Sequence, residues 1–307
     1  MGTTYNVAVL NHDNTLDRAE LKAAIDSALV SFNHKLSNWE NGSEISRFNA
    51  AGHRDPITMS AELSHIMTAA AEVNSASAGR FDTTVGSLIE LWGFGANGQT
   101  KMPSPEAVAQ AKERSGQTNT LHLANGQMAK RQPETQVYLA GIGKGYGADR
   151  IAEVLASFGA TDFLVEIGGD LYASGRNQNG LPWQIGIESP NPVDRGLMGV
   201  AGLVGLGLAT SGDYRNYFEV DGQRYSHLID PTTGYPVTHK TASATVVHDN
   251  AMMADAWSTA MLILGREEGL AIAKEHNLAV HFVDHDSVNG QPTFKSYVSP
   301  QFGALTA

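Results

Sequence analysis

Cysteine is absent from the 307 residues, which excludes disulfides, thiolate metal sites and cysteine nucleophiles and leaves the redox compartment open. Positive charge is scarce: 21 Lys and Arg against 32 Asp and Glu give a formal net charge of −11. That balance argues against a nucleic-acid partner, because phosphate binding needs a basic surface. No apolar run reaches the roughly 18 residues that suggest a membrane span. Gly196 to Ala209 is apolar but short and Gly-rich, as expected of a buried strand pair. There is no fixed-period repeat, no low-complexity tract and no visible signal peptide. Met1-Gly2-Thr3-Thr4-Tyr5 enters a strand-like stretch at once, so a leader cut away ahead of it is expected. What remains is the composition of a globular protein, 42% hydrophobic and 17% charged, long enough for a large core. Residues 1–307 read as one large unit or two intimate subdomains.

The chain alternates patterns without a regular β-α-β rhythm. Thr3 to Leu10 reads as a strand, and Thr15 to Leu36 carries Leu21, Ile25, Leu29 and Phe32 at helical spacing. Ser43 to Asn49 suggests a short helical turn after a polar loop holding Trp39. Ser60 is placed to cap a helix ending at Gly79, and Ser104-Pro105-Glu106 to open another. A short helix carries Leu88, Leu91 and Trp92. Residues 120–140 suggest two strands, then a glycine-rich loop from Gly141 to Gly147, then a helix from Ala148 to Phe158. Strands dominate from Phe163 to His248. Helices are expected at Ala251–Leu264 and Glu267–His276, then strands to Val298. The fold class expected is α+β.

Chemistry is suggested at a few places. In Ser226 to Pro236, His227 stands three residues before Asp230, where a strand meets the rigid turn Asp-Pro-Thr-Thr-Gly. Such a pair can serve as base and orienter for an incoming hydroxyl, or be an incidental surface turn. The Gly141–Gly147 run fits either a phosphate cradle or close packing, and matches neither the Walker nor the dinucleotide pattern. Asp255, Ser258 and Thr259 share a helical face, a hard-oxygen set suited to Mg²⁺ or Ca²⁺. Asp255 could equally cap a neighbouring loop. Gly168-Gly169-Asp170 and Thr210 to Tyr214 are small-residue turns after strands. His281 and His285 lie on a strand, about 13 Å apart, too far to chelate together.

These stretches together resemble the ApbE-type FAD:protein FMN transferases, usually bacterial and often periplasmic lipoproteins. The resemblance runs from Met1-Gly2-Thr3 to beyond Gly265. It rests on Ser43-Glu44-Ile45-Ser46-Arg47-Phe48-Asn49, on Phe81-Asp82-Thr83-Thr84-Val85-Gly86 with Leu91-Trp92-Gly93-Phe94-Gly95, and on Gly143-Lys144-Gly145-Tyr146 with Asp149. It continues through Gly168-Gly169-Asp170, Ser211-Gly212-Asp213-Tyr214, Ser226 to Gly234, and Ala254-Asp255-Ala256 with Thr259. It implies an enzyme that binds FAD and Mg²⁺, moves FMN onto a threonine or serine hydroxyl of an acceptor protein, and releases AMP. Asp255 and Thr259, with Ser258 nearby and the Gly141 carbonyl, are the implied metal ligands. Met1, Trp39, Arg80, Phe81, Asp82, Lys144 and Ile229 are the implied FAD contacts. His227, assisted by Asp230, is the pair available as base.

The chain departs from the family where Tyr138 replaces a common Asp three residues before the metal carbonyl, so Tyr138 is expected to meet the dinucleotide by stacking or through its hydroxyl. The implied acceptors are flavoprotein subunits of membrane redox complexes, which places the protein in the periplasm, tethered if a leader carries a lipid anchor. A gene beginning at Met1 would point to the cytoplasm instead. Two other activities share these residues: a FAD pyrophosphatase yielding FMN and AMP, and a flavin-binding protein without turnover.

Overall fold

A computed structural model describes residues 2–94, 102–191, 196–213, 217–220, 223–288 and 291–306. From the N-terminus the chain forms β1 (Tyr5–Val9), α1 (Arg18–Leu36), α2 (Glu44–Ala50), β2 (Ile57–Thr58) and α3 (Ala61–Ala76). Next come α4 (Gly86–Leu91), α5 (Pro105–Glu113), α6 (Gln117–Thr120), β3 (Leu121–Ala124) and β4 (Gln127–Lys130). α7 (Gly143–Ser157) leads to β5 (Phe163–Ile167), β6 (Asp170–Ser174), β7 (Trp183–Glu188), β8 (Leu197–Leu203) and β9 (Leu206–Gly212). The short pairs β10 (Tyr217–Val220) with β11 (Gln223–Ser226) and β12 (Ile229–Asp230) with β13 (Tyr235–Pro236) follow. The order closes with β14 (Thr241–His248), α8 (Ala251–Glu275), β15 (Ala279–Val288), β16 (Gln291–Val298) and α9 (Pro300–Gly303).

The α+β expectation holds. Seven strands, ordered β1-β5-β6-β9-β14-β15-β16, make one antiparallel sheet. Side-chain alternation divides its faces. In β5, Phe163, Val165 and Ile167 are buried with Ile151 and Leu155 of α7 and Ile25 of α1. In β14, Ala244 and Val246 pack with Met252, Trp257 and Ala260 of α8. The opposite face carries Leu171, Ala173, Leu208 and Val247, closed by the β7–β8 ribbon and α9 through Trp183, Leu203 and Phe302.

The caps read in the sequence are present. Ser60 accepts from Leu63 N–H, and Ser104 from Ala107 N–H with Pro105 in the first turn. Three boundaries differ from expectation. The apolar stretch 196–209 does form two strands, but β8 pairs with β7 while β9 enters the large sheet. Beyond Lys130 the chain leaves the β3–β4 hairpin, and 131–140 is not a strand. The glycine-rich run is not a loop, because α7 begins at Gly143 and includes Lys144, Gly145 and Gly147.

Contact between α7 and α8 explains that early start. A Cβ on Gly145 would lie 2.1 Å from the Ala251 carbonyl oxygen and 2.8 Å from the Asp255 Cβ, so only glycine permits this crossing. Gly145→Ala is expected to destabilise the protein by about 1–3 kcal/mol, as the helices spread to admit the methyl group. Urea unfolding measures it, and an unchanged midpoint would refute the close crossing.

Candidate active site

The Asp-Pro-Thr-Thr-Gly turn is anchored from several sides. Asp230 Oδ1 accepts from the Thr232 amide at 2.8 Å and its hydroxyl at 2.7 Å, and the Asp230 carbonyl accepts from Gly234 N–H at 2.7 Å. Gly234 takes φ 83°, the left-handed conformation expected at the end of such a turn. The buried Trp92 indole donates to the Gly234 carbonyl at 2.9 Å, and Lys112 of α5 donates to the Thr232 carbonyl at 2.7 Å. Ile229 is buried among Leu88, Trp92 and Val108. The α4–α5 pair therefore holds this turn against one wall of a cleft.

The cleft gathers most of the residues singled out in the sequence: Arg80, Phe81, Asp82, Tyr138, Gly141, Lys144, His227, Ile229, Asp255 and Thr259 all line it. His227 stands edge-on to Phe94 with ring centroids 6.2 Å apart. The Gly141 backbone lies against α8, where an added Cβ would sit 3.0 Å from Thr259 Oγ1.

Other expected residues are placed differently. Asp230 is buried, and besides holding the turn its Oδ2 accepts from Arg80 Nη1 at 3.2 Å. Both its oxygens are thus engaged in positioning the turn and Arg80. Ser258 is buried, donating to the Asp255 carbonyl at 2.9 Å and lying 2.9 Å from Ser211 Oγ. Trp39, on the loop between α1 and α2, is 78% exposed. Asp82 contributes to the cleft wall, yet its carboxylate accepts from Thr84 N–H and Oγ1, both at 2.6 Å, and from Gln117 N–H at 2.8 Å. Burial pushes the Asp82 carboxyl up from its ordinary range against the pull of those bonds. Met1 lies outside the described residues.

Asp255 and Asp149 cap each other's helices. No side chain caps α7 from its own N-terminus; instead Asp255 Oδ2 accepts from Gly145 N–H at 3.0 Å. Asp149 of α7 returns the contact, accepting from Ala251 N–H and Met252 N–H at 2.8 Å each. Burial raises the Asp149 carboxyl to about 6, only partly offset by those two amides. The loop-capping alternative for Asp255 is therefore realised at one oxygen, as the cap of a helix. Its other oxygen, Oδ1, faces Lys144 Nζ at 3.2 Å.

Lys144 Nζ also lies 2.7 Å from Asp170 Oδ2. Burial works to lower the lysine, but the charges of Asp255 and Asp170 outweigh it and hold the ammonium protonated, above its ordinary value. The sequence reading missed this use of Asp170. The signal was there in outline: in β6, Leu171 and Ala173 pack on the ribbon side, which turns Asp170 to the helix side. Arg80 adds a second cation. Its Nη1 and Nη2 meet Asp230 and Glu268, while its buried Nε has no protein partner among the described residues.

The donors near Asp255 are a carboxylate, hydroxyls and backbone, and no cluster of three or more His, Cys, Asp or Glu occurs among the described residues. That hard-oxygen set fits Mg²⁺ in chemical type.

A model of the ApbE family matches residues 1–282. The chain belongs to the ApbE family. It is 36% identical over 306 residues to a Klebsiella pneumoniae protein named FAD:protein FMN transferase, covering 98% of this chain and 86% of that one. A Haemophilus influenzae protein of the same name is 39% identical over 290 residues, covering 92% and 84%. Among solved structures, the apo Pseudomonas stutzeri flavinyl transferase ApbE superposes with a TM-score of 0.90 at 34% identity, over 100% of this chain and 94% of that one. The flavin transferase ApbE from Vibrio cholerae gives 0.89 at 34% identity, over 99% and 96%.

Within this ApbE-family chain, the Tyr138 ring packs closely against the start of α4. A Cβ on Gly86 would fall 2.0 Å from the Tyr138 ring, so the ring occupies the space a side chain there would take. The Tyr138 hydroxyl donates to Gln136 Oε1 at 2.9 Å, and burial raises the phenol above its ordinary value.

Proposed function

We infer that the protein is an Mg²⁺-dependent FAD:protein FMN transferase, which joins FMN to an acceptor threonine or serine through a phosphoester and releases AMP. The observation that carries this is a single cleft in which an imidazole, two cationic side chains and a hard-oxygen cluster converge. Asp255, Thr259 and the Gly141 carbonyl would hold Mg²⁺, which neutralises charge on a diphosphate when bound. Lys144 and Arg80, both lining the cleft, suit the phosphate oxygens of FAD. Asp230 keeps Arg80 and the turn in place.

The acceptor hydroxyl oxygen forms a bond to the phosphorus on the FMN side, and the bond from that phosphorus to the AMP oxygen breaks. AMP departs with the electron pair. The hydroxyl proton passes to the imidazole of His227, because a neutral hydroxyl needs a base as it attacks. The acceptors proposed are flavoprotein subunits of membrane redox complexes, and the compartment proposed is the periplasm.

Incubation with FAD and Mg²⁺, with and without an acceptor fragment, tests the reading by chromatography. AMP release that depends on the acceptor, with flavin covalently on it, is the expected result. Equal AMP release without flavin on the acceptor would instead mean FAD hydrolysis. Tightly held, intact FAD would mean a binding protein.

A further inference from the structure

The Ser43–Asn49 motif has no place in the chemistry above, yet the structure gives it a definite task. The segment 137–139 belongs to no strand, although its burial alternates as in one, with Val137 and Leu139 buried. Buried backbone groups need partners, and here side-chain amides supply them. Asn49 donates to the Val137 carbonyl at 2.8 Å and accepts from Val137 N–H at 2.7 Å. Asn38 donates to the same carbonyl at 2.7 Å and accepts from Leu139 N–H at 3.0 Å. The two side chains thus act as a substitute neighbouring strand, straddling Tyr138, whose own N–H donates to the Thr83 carbonyl at 2.7 Å.

The rest of the motif fixes those asparagines. Ser43 caps α2 and donates to the Ser37 carbonyl at 2.7 Å, next to Asn38, and Ser46 donates to the same carbonyl at 3.2 Å. At the far end of α2 the buried Lys130 ammonium donates to the carbonyls of Asn49, Ala51 and Pro133 at 2.8, 2.8 and 3.0 Å. On the other side the clamp runs directly into the cleft: the Leu139 carbonyl accepts from Gly143 N–H at 2.7 Å, closing the turn that contains Gly141.

We propose that Asn49 and Asn38 are positioning residues for the cleft, registering Tyr138 and the Gly141 turn against α8 so that FAD finds them already placed. The proposal rests on the transferase reading for the identity of the ligand. The geometry of the clamp does not.

Asn49→Ala removes two of the four amide bonds. In ligand-free protein, hydrogen exchange over residues 137–143 is expected to quicken at least roughly tenfold while β14 stays unchanged. Without metal, FAD affinity read by fluorescence quenching should weaken about tenfold. The KM for FAD should rise equally, with kcat within about threefold. Asn49→Asp, which keeps the acceptor for Val137 N–H, should fall between. Quickened exchange with unchanged FAD affinity and KM, or a lowered kcat at unchanged KM, would reduce the clamp to ordinary scaffolding and overturn the proposal. If Asn49→Ala does not fold, Asn38→Ala, which leaves both Asn49 bonds intact, is read by the same criteria. The transferase reading fails separately, in wild-type protein that neither binds FAD nor releases AMP. The clamp then stands or falls on the exchange measurement alone.

Discussion

Asp255→Asn is expected to lose turnover by roughly a thousandfold at ordinary Mg²⁺ concentrations while its unfolding midpoint stays near that of the wild type. The buried carboxylate has two tasks on two oxygens. Oδ2 accepts from Gly145 N–H and caps α7, and Oδ1 faces the cleft beside Lys144. An asparagine keeps a carbonyl oxygen for the cap but removes the negative charge a cation needs. Asp255→Ala removes both, so it should lose activity equally and also destabilise the fold by about 0.5–2 kcal/mol, the usual cost of a lost cap. Steady-state rates against Mg²⁺ concentration, set beside urea unfolding of both variants, separate the two tasks. Full activity in Asp255→Asn would leave the residue as a helix cap only and place the metal elsewhere.

The second large effect is expected at His227. His227→Asn should bind FAD with similar affinity and transfer flavin at least roughly a hundredfold more slowly, the usual scale for loss of a general base. The turn that follows it is held by Trp92, Lys112 and the Asp230 carboxylate, which His227→Asn leaves in place. A folded variant is therefore expected, and single-turnover transfer with equilibrium FAD binding reads the two quantities apart. A normal transfer rate would make His227 part of the scaffold. Loss of binding together with activity would make it a contact to FAD. Asp230→Asn should behave otherwise, weakening FAD binding through Arg80, because the carboxylate is committed to Thr232 and that guanidinium.

The sequence by itself determined whatever depends on neighbours a few residues apart. Helical stripes such as Leu21, Ile25 and Phe32, the caps at Ser60 and Ser104, and the break between Leu264 and Glu267 were all legible, since each rests on local geometry. Gly265, at φ 72° and ψ 171°, makes that break. The ordered motif blocks also made the family legible, because their order survives whatever the chain does in space. Only the tertiary structure decided which helix crosses which sheet, and with it the partner of every buried polar group. The sequence marked Asp255 as a metal-ligand or capping carboxylate, but not that it caps α7 while Asp149 caps α8 in return. Asp170 looked like the end of a glycine turn until the pairing of β5 with β6 brought it to Lys144. Asn38 and Asn49 gave no sign that they would serve as a strand for residues about a hundred positions away. Such contacts are absent from local patterns because a buried hydrogen bond specifies only that a partner exists, and the packing of distant elements chooses it.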